Sequence, residues 1–181
     1  DDPGITAILP NLSRHVITYG FNEGAQVRAS TPKRVDGKMC FSVNRQIGSV
    51  IFPPLRVRLN CLGKHNVLNS LAAIALATEL EIDDDVICQA LENFQGVGRR
   101  LESYGSVKLG TKRVTLYDDY GHHPSEVEPT LAAIREAYPQ KRLVLVFQPH
   151  RYTRTRDFFD EFVRVLSKAD VLIMTEVYEA G

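Results

Sequence analysis

Five consecutive apolar residues, Leu143-Val144-Leu145-Val146-Phe147, stand between two helical patterns and limit the fold more than any other stretch. An unbroken run of that length suits a parallel strand covered on both faces, because a half-exposed strand would alternate apolar with polar residues. Upstream, Val127, Leu131, Ile134 and Ala137 recur at about one-turn spacing and predict a helix over 126–138. Downstream, 158–166 reads as another helix and 171–174 as a further strand. Before them, 106–109 and 113–117 read as two paired strands. This alternation predicts a doubly wound parallel sheet in an α/β protein.

The first half has a different texture. Short alternating stretches at 15–20, 26–29, 38–43 and 55–59 read as strands, and Asp36-Gly37 between two of them is a hairpin signal. They predict a small β region with one exposed face and a structural role. Residues 3–12 predict a short helix ahead of it. A longer helix is predicted over 67–80, with Leu68, Leu71, Ala72, Ala75, Leu76 and Leu80 as its apolar face, and another from Asp83 to Phe94. Gln95-Gly96-Val97-Gly98-Arg99-Arg100 breaks the pattern and reads as an interdomain link. The expected domains are 1–98 and 99–181.

Charge excludes some functions. Lys plus Arg and Asp plus Glu both total 22, so no basic excess points to nucleic acid or a membrane surface. Three cysteines, Cys40, Cys61 and Cys88, form no CxxC pair and fit reduced thiols in a cytoplasmic protein. No signal peptide or membrane-length apolar run is visible. The opening Asp1-Asp2-Pro3-Gly4 lacks an initiator methionine, and the chain stops soon after a buried-strand pattern, so a fragment of a longer protein is expected.

Ionisable residues crowd after two of the strands. Asp118-Asp119-Tyr120-Gly121-His122-His123-Pro124-Ser125-Glu126 follows one, and Gln148-Pro149-His150-Arg151-Tyr152-Thr153-Arg154-Thr155-Arg156 follows the other. Ligands of open α/β sheets bind at the carboxyl ends of strands, and both clusters should share one sheet edge. Two readings of the first cluster stand side by side. In one, Pro124 opens a helix and the aspartates bond backbone amides; in the other, the residues do chemistry. The arginines of the second cluster suit a carboxylate or a phosphate. Asn66 and Asn69 lie on one helix face and could read an adenine edge, or Asn66 could simply be an N-cap. His122 and His123, being adjacent, should point apart, and no metal-ligand spacing is present.

Three motifs, His65-Asn66-x-x-Asn69-x-x-Ala72-Ala73, Gly96-Val97-x-Arg99-Arg100 and Asp118-Asp119-Tyr120-Gly121-His122-His123-Pro124, resemble the Mur ligase family. The resemblance implies the later part of a central ATP-binding domain followed by the first part of a Rossmann-like domain. The loop 147–156 is similar to that of the members that join L-alanine to UDP-N-acetylmuramate through an acyl phosphate. By that resemblance, Asn66, Asn69, Arg100 and Asp119 would serve ATP. Tyr120, His122, His150, Arg151 and Arg154 would face the substrates, with His122, Arg151 and Arg154 closest to the chemistry. Mg²⁺ would accompany ATP, with its ligands mainly outside this chain. The alternatives are a tripeptide-recycling ligase of the same family and a non-catalytic nucleotide-binding module.

Overall fold

Strict alternation along 38–47 organises the first half of the molecule: Met39, Phe41, Val43 and Arg45 point inward while Ser42, Asn44 and Gln46 are exposed. The computed structural model describes residues 2–179, so the outer limits expected at 1 and 181 lie outside it. The chain divides into two compact units, one up to Gln95 and one from Gly96 onward.

The first unit begins with α1 (Pro3–Ile8), capped by the Asp2 carboxylate, which accepts the Ile5 N–H at 2.9 Å. A 3₁₀ turn over Leu9–Asn11 comes next. Five strands then form one sheet: β1 (Tyr19–Gly20), β2 (Val27–Ala29), β3 (Lys33–Val35), β4 (Lys38–Ile47) and β5 (Val50–Leu59). β4 pairs antiparallel with β2, β3 and β5, and β1 runs parallel to β2. The strand expected at 15–20 is reduced to its last two residues. Asp36 and Gly37 take φ of 50° and 81°, and Val35 pairs with Lys38, the two-residue hairpin expected of Asp-Gly. Pro53 and Pro54 cannot donate to a ladder, and the β4–β5 register shifts beside them, between Val43 and Arg45.

Over the buried face lie α2 (Lys64–Glu79) and α3 (Asp84–Asn93). Their contacts correct the expected apolar face of α2. The buried residues are Val67, Ser70, Leu71, Ile74, Ala75 and Thr78, whereas Leu76 and Leu80 are 62% and 63% exposed. Leucine and alanine ring this helix, so apolar periodicity alone did not select the face that meets the sheet. Val27, Val43, Val57, Val67, Leu71 and Ile74 form the centre of this core.

In the second unit β6 (Glu102–Leu109) and β7 (Lys112–Asp118) make an antiparallel hairpin, followed by α4 (Pro124–Ala137). The Tyr117 and Tyr138 hydroxyls hydrogen-bond at 2.8 Å, tying β7 to the end of α4. Then come β8 (Val144–Phe147), α5 (Tyr152–Asp157), α6 (Phe159–Leu166) and β9 (Val171–Met174), with β8 and β9 parallel across the helical crossover. Among the described residues the parallel sheet is these two strands, and the hairpin is separate from it. Val127 and Leu131 of α4 and Phe162, Val165 and Leu166 of α6 pack with Phe147 into a small core. The expectation that β8 is covered on both faces is corrected: Val144 and Val146 are 50% and 63% exposed. α4 and α6 supply the packing on one face, which buries Phe147 and draws in Leu145. The arginine-rich stretch, expected as a loop, turns helical at Tyr152.

Candidate active site

The backbone after β7 is held by carboxylates. Asp119 accepts the Leu101 N–H at 2.8 Å with one oxygen and the Gly121 N–H at 2.7 Å with the other. Glu126, in the first turn of α4, accepts the amides of His122 at 3.0 Å and His123 at 3.2 Å. Pro124 opens the helix, and the His123 Nδ1 accepts the Ser125 N–H at 3.3 Å. The capped-turn reading is therefore realised, and the aspartate expected to touch nucleotide has both oxygens committed to backbone.

That rigid turn sets the two imidazoles apart, as their adjacency requires. His123 lies edge-on to Phe158, centroids 4.4 Å apart. His122 lies edge-on to Tyr120 at 5.1 Å and beside the His150 ring at 5.2 Å. The two polar clusters thus meet through His122 and His150. Their neighbours extend the column of rings. The Arg99 guanidinium sits 4.7 Å from the Tyr120 centroid and that of Arg100 at 5.9 Å, while Tyr178 lies 5.3 Å from His150 at the other end.

Hydrogen bonding assigns the tautomers. The His122 Nδ1 is 3.0 Å from the Tyr120 carbonyl, which can only accept, so Nδ1 carries the proton and the neutral ring keeps its lone pair on Nε2. The Arg154 guanidinium donates to His150 Nδ1 at 3.4 Å and to the His150 carbonyl at 3.5 Å, so that Nδ1 is unprotonated. Desolvation lowers the His150 pKa, and the positive charges of His122, Arg154 and Arg151 lower it further. For Glu126, partial burial pushes upward, but the His122 amide and ring, the His123 amide and Arg100 outweigh it and hold the carboxyl below its ordinary value. Arg100 reaches Glu126 at 3.4 Å. Arg151, at the start of α5, has φ 69° and ψ 128°, a backbone conformation foreign to most L-residues.

Asn66 and Asn69 belong to the other unit. Gly63, not Asn66, is the N-cap of α2. The Asn66 Nδ2 donates to the Leu62 carbonyl at 2.8 Å, and its Oδ1 accepts from Asn69 at 3.3 Å. The pair is thereby oriented, with Asn69 exposed. Among the described residues no group of three or more His, Cys, Asp or Glu is placed to hold a metal ion.

Two residues of the second unit are not singled out by the sequence pattern. Glu126 had a signal, a carboxylate at the third helical position after His-His-Pro, where it can reach back to the preceding amides. Tyr178 had none.

Residues 99–180 match the model described as Mur ligase, glutamate ligase domain. That match spans the second unit, and similarity to Mur ligases extends over the whole chain. Over its full length it is 56% identical to the UDP-N-acetylmuramate–L-alanine ligase of Ralstonia nicotianae, covering 38% of that enzyme. It superposes on the UDP-N-acetylmuramate–alanine ligase of Thermotoga maritima with a TM-score of 0.72 at 29% identity, covering 91% of this chain and 35% of that one. A MurF ligase from Thermotoga maritima, crystallised with ADP, shares the fold at 17% identity and a TM-score of 0.66, covering 96% of this chain and 38% of that one. The chain thus spans a little over a third of the length of these relatives.

Proposed function

We propose that this chain is part of an ATP-dependent ligase that joins L-alanine to the lactyl carboxylate of UDP-N-acetylmuramate, in peptidoglycan precursor synthesis. One observation carries the reading: the His122 and His150 rings and the Arg154 guanidinium converge beyond the ends of two strands. It is supported by 56% identity to a ligase of that name. ATP would supply the phosphoryl group that turns the carboxylate into an acyl phosphate. His122, with its lone pair on Nε2, would take a proton from the alanine ammonium and leave a nucleophilic amine. Arg154 would hold the alanine carboxylate, and Arg151, Tyr120 and His150 would line the acceptor side. Developing charge on the tetrahedral intermediate is best met by donors already fixed in place, and the column of rings provides that fixity.

For the nucleotide we propose Asn66 and Asn69 toward adenine, and Arg100 toward phosphate. Asp119 would act through the Leu101 and Gly121 amides it holds. Mg²⁺ is proposed to accompany ATP, but no cluster of described residues fits it, so no step is routed through the ion. The three free cysteines fit the reducing cytoplasm as the compartment, and no described helix is long and apolar enough to cross a membrane.

The test follows phosphate release by an intact ligase containing this chain, with ATP, Mg²⁺ and UDP-N-acetylmuramate, adding L-alanine, glycine, L-serine or a murein tripeptide in turn. Release with L-alanine alone is expected. Release with the tripeptide reassigns the acceptor, and silence with all four removes the ligase reading. His122→Ala should lower kcat by about 10²- to 10⁴-fold, and Arg154→Ala should raise the KM for L-alanine. An unchanged alanine KM would take Arg154 off that carboxylate.

A further inference from the structure

Beyond the last residue of β9, the chain returns to β8 and grips the segment just past that strand. The ladder of β8 and β9 closes with Phe147 opposite Met174, yet pairing resumes between His150 and Tyr178. Two residues intervene on one side and three on the other, so the chain after β9 carries an extra residue and kinks before it rejoins. At the rejoining point the Tyr178 N–H donates to the Pro149 carbonyl at 2.8 Å, and the Tyr178 carbonyl accepts the Arg151 N–H at 2.8 Å. Its ring lies against His150, 5.3 Å between centroids. Next to it, the Tyr152 hydroxyl donates to Glu179 at 3.4 Å.

This grip falls on a strained part of the site. A non-glycine residue at φ 69° and ψ 128° is strained and persists only where its surroundings over-determine it. At Arg151 the amide donates to Tyr178, while the carbonyl accepts from the Thr155 N–H and hydroxyl, so the Tyr178 bond is the constraint on the N-terminal side. One residue earlier, the Tyr178 ring packs beside His150, whose other ring neighbour is His122.

We infer that Tyr178 is a positioning residue of the ligation site: its backbone locks Arg151, and its ring fixes the His150 imidazole against His122 and Arg154. The assignment rests on the proposed ligase reading for its kinetic consequence. It does not share the chemistry: its ring meets the site through His150. Tyr178 is 55% exposed, so truncating its ring removes little core and should leave the protein folded.

Tyr178→Ala and Tyr178→Phe, made in the intact ligase, separate the ring from the backbone, since both keep the main-chain bonds. The alanine variant should lose about 10²-fold in kcat, the scale of a catalytic group displaced by about an ångström. Its KM for ATP and its melting temperature should stay near wild type. The phenylalanine variant should restore kcat. An NMR titration of the His150 ring gives a second readout independent of turnover. His150 faces His122, Arg151, Arg154 and Tyr178; removing the ring admits water and should move its titration upward in the alanine variant alone. Wild-type kcat together with an unmoved titration in Tyr178→Ala would overturn the assignment, as would a phenylalanine variant as impaired as alanine. If wild type releases no phosphate with any acceptor, the ligase reading falls, and the ring titration still decides the role of Tyr178.

Discussion

Arg45 and the ring column are both dense polar arrangements, but they are built on opposite plans. Arg45 occupies an inward position of β4 and is 2% exposed. Its guanidinium donates to Asp84 at 2.7 Å, to the Pro53 carbonyl at 3.1 Å and to Thr78 at 3.2 Å, and it stacks over Phe52 at 5.1 Å. Only Nε goes without a partner among the described residues. Such a network spends its donors on the protein itself and cross-ties β4, α2 and α3. In the ring column of the second unit, by contrast, Arg99, Arg100, Tyr120 and Arg151 remain exposed or half-exposed, and backbone bonds rather than burial hold the side chains. Density of ionisable residues marks both. What separates structure from a candidate site is whether the donors are consumed inside or left facing outward.

The contrast can be broken by substitution. The largest effect is expected in the closed unit, where Leu71 is fully buried and Leu76 is not. Leu71→Ala should cost about 3 kcal/mol, while Leu76→Ala should stay within about 0.5 kcal/mol. Hydrogen exchange measured over α2 would separate the two units. Equal effects would mean that the helix face has been assigned wrongly.

A middle-sized effect tests the closure around Arg45. Breaking a fully buried ion pair costs about 3–5 kcal/mol. The Asp84 side chain is 40% exposed, so Asp84→Ala should cost less, about 2 kcal/mol. Denaturant melts of wild type and variant would show it. A neutral result would make the Arg45 network no more closed than the ring column.

The smallest effect concerns the surface of the second unit. Glu128 is bound by Arg164 at 2.9 Å and by Lys168, and these two partners lower its carboxyl to about 2. A carboxylate with a lowered folded pKa stabilises the protein above its ordinary value and loses that contribution as pH falls toward the folded value. The melting-temperature difference between wild type and Glu128→Gln should therefore be greatest above pH 5 and fade between about pH 4.5 and 2. A difference that does not change with pH would remove the electrostatic account. Exposed pairs contribute little, so the shift is expected to be a few degrees at most.

Much of this architecture is legible in the sequence itself. The Asp-Gly hairpin, the helices after 63, 83, 123 and 158, and the strands at 144 and 171 come from local chemistry: φ preferences, caps and apolar runs. Local rules stop where a choice depends on a distant partner. Leucine and alanine surround α2, so the sheet alone decided which stripe it buried. Gly63 displaced Asn66 from the cap because its φ of 91° turns the chain into the helix three positions earlier than an Asn66 cap would. In the candidate site, the meeting of His122 with His150 was implied by both clusters trailing strands. The grip of Tyr178 was not, because a lone tyrosine after a strand carries no pattern that points back across a crossover helix.

The carboxylate of Asp119, which joins Leu101 to Gly121, leaves a trace that should be visible in how such sequences drift. A Cβ built on Gly121 would lie 2.6 Å from the Asp119 oxygen that accepts its own amide. Any larger residue at 121 would push that oxygen away and loosen the Leu101 amide, whose residue sits at φ 51°. Positions 119 and 121 should therefore change together: a lineage that gives up the glycine has to find another anchor for Leu101, and one that gives up the aspartate loses this reason for the glycine.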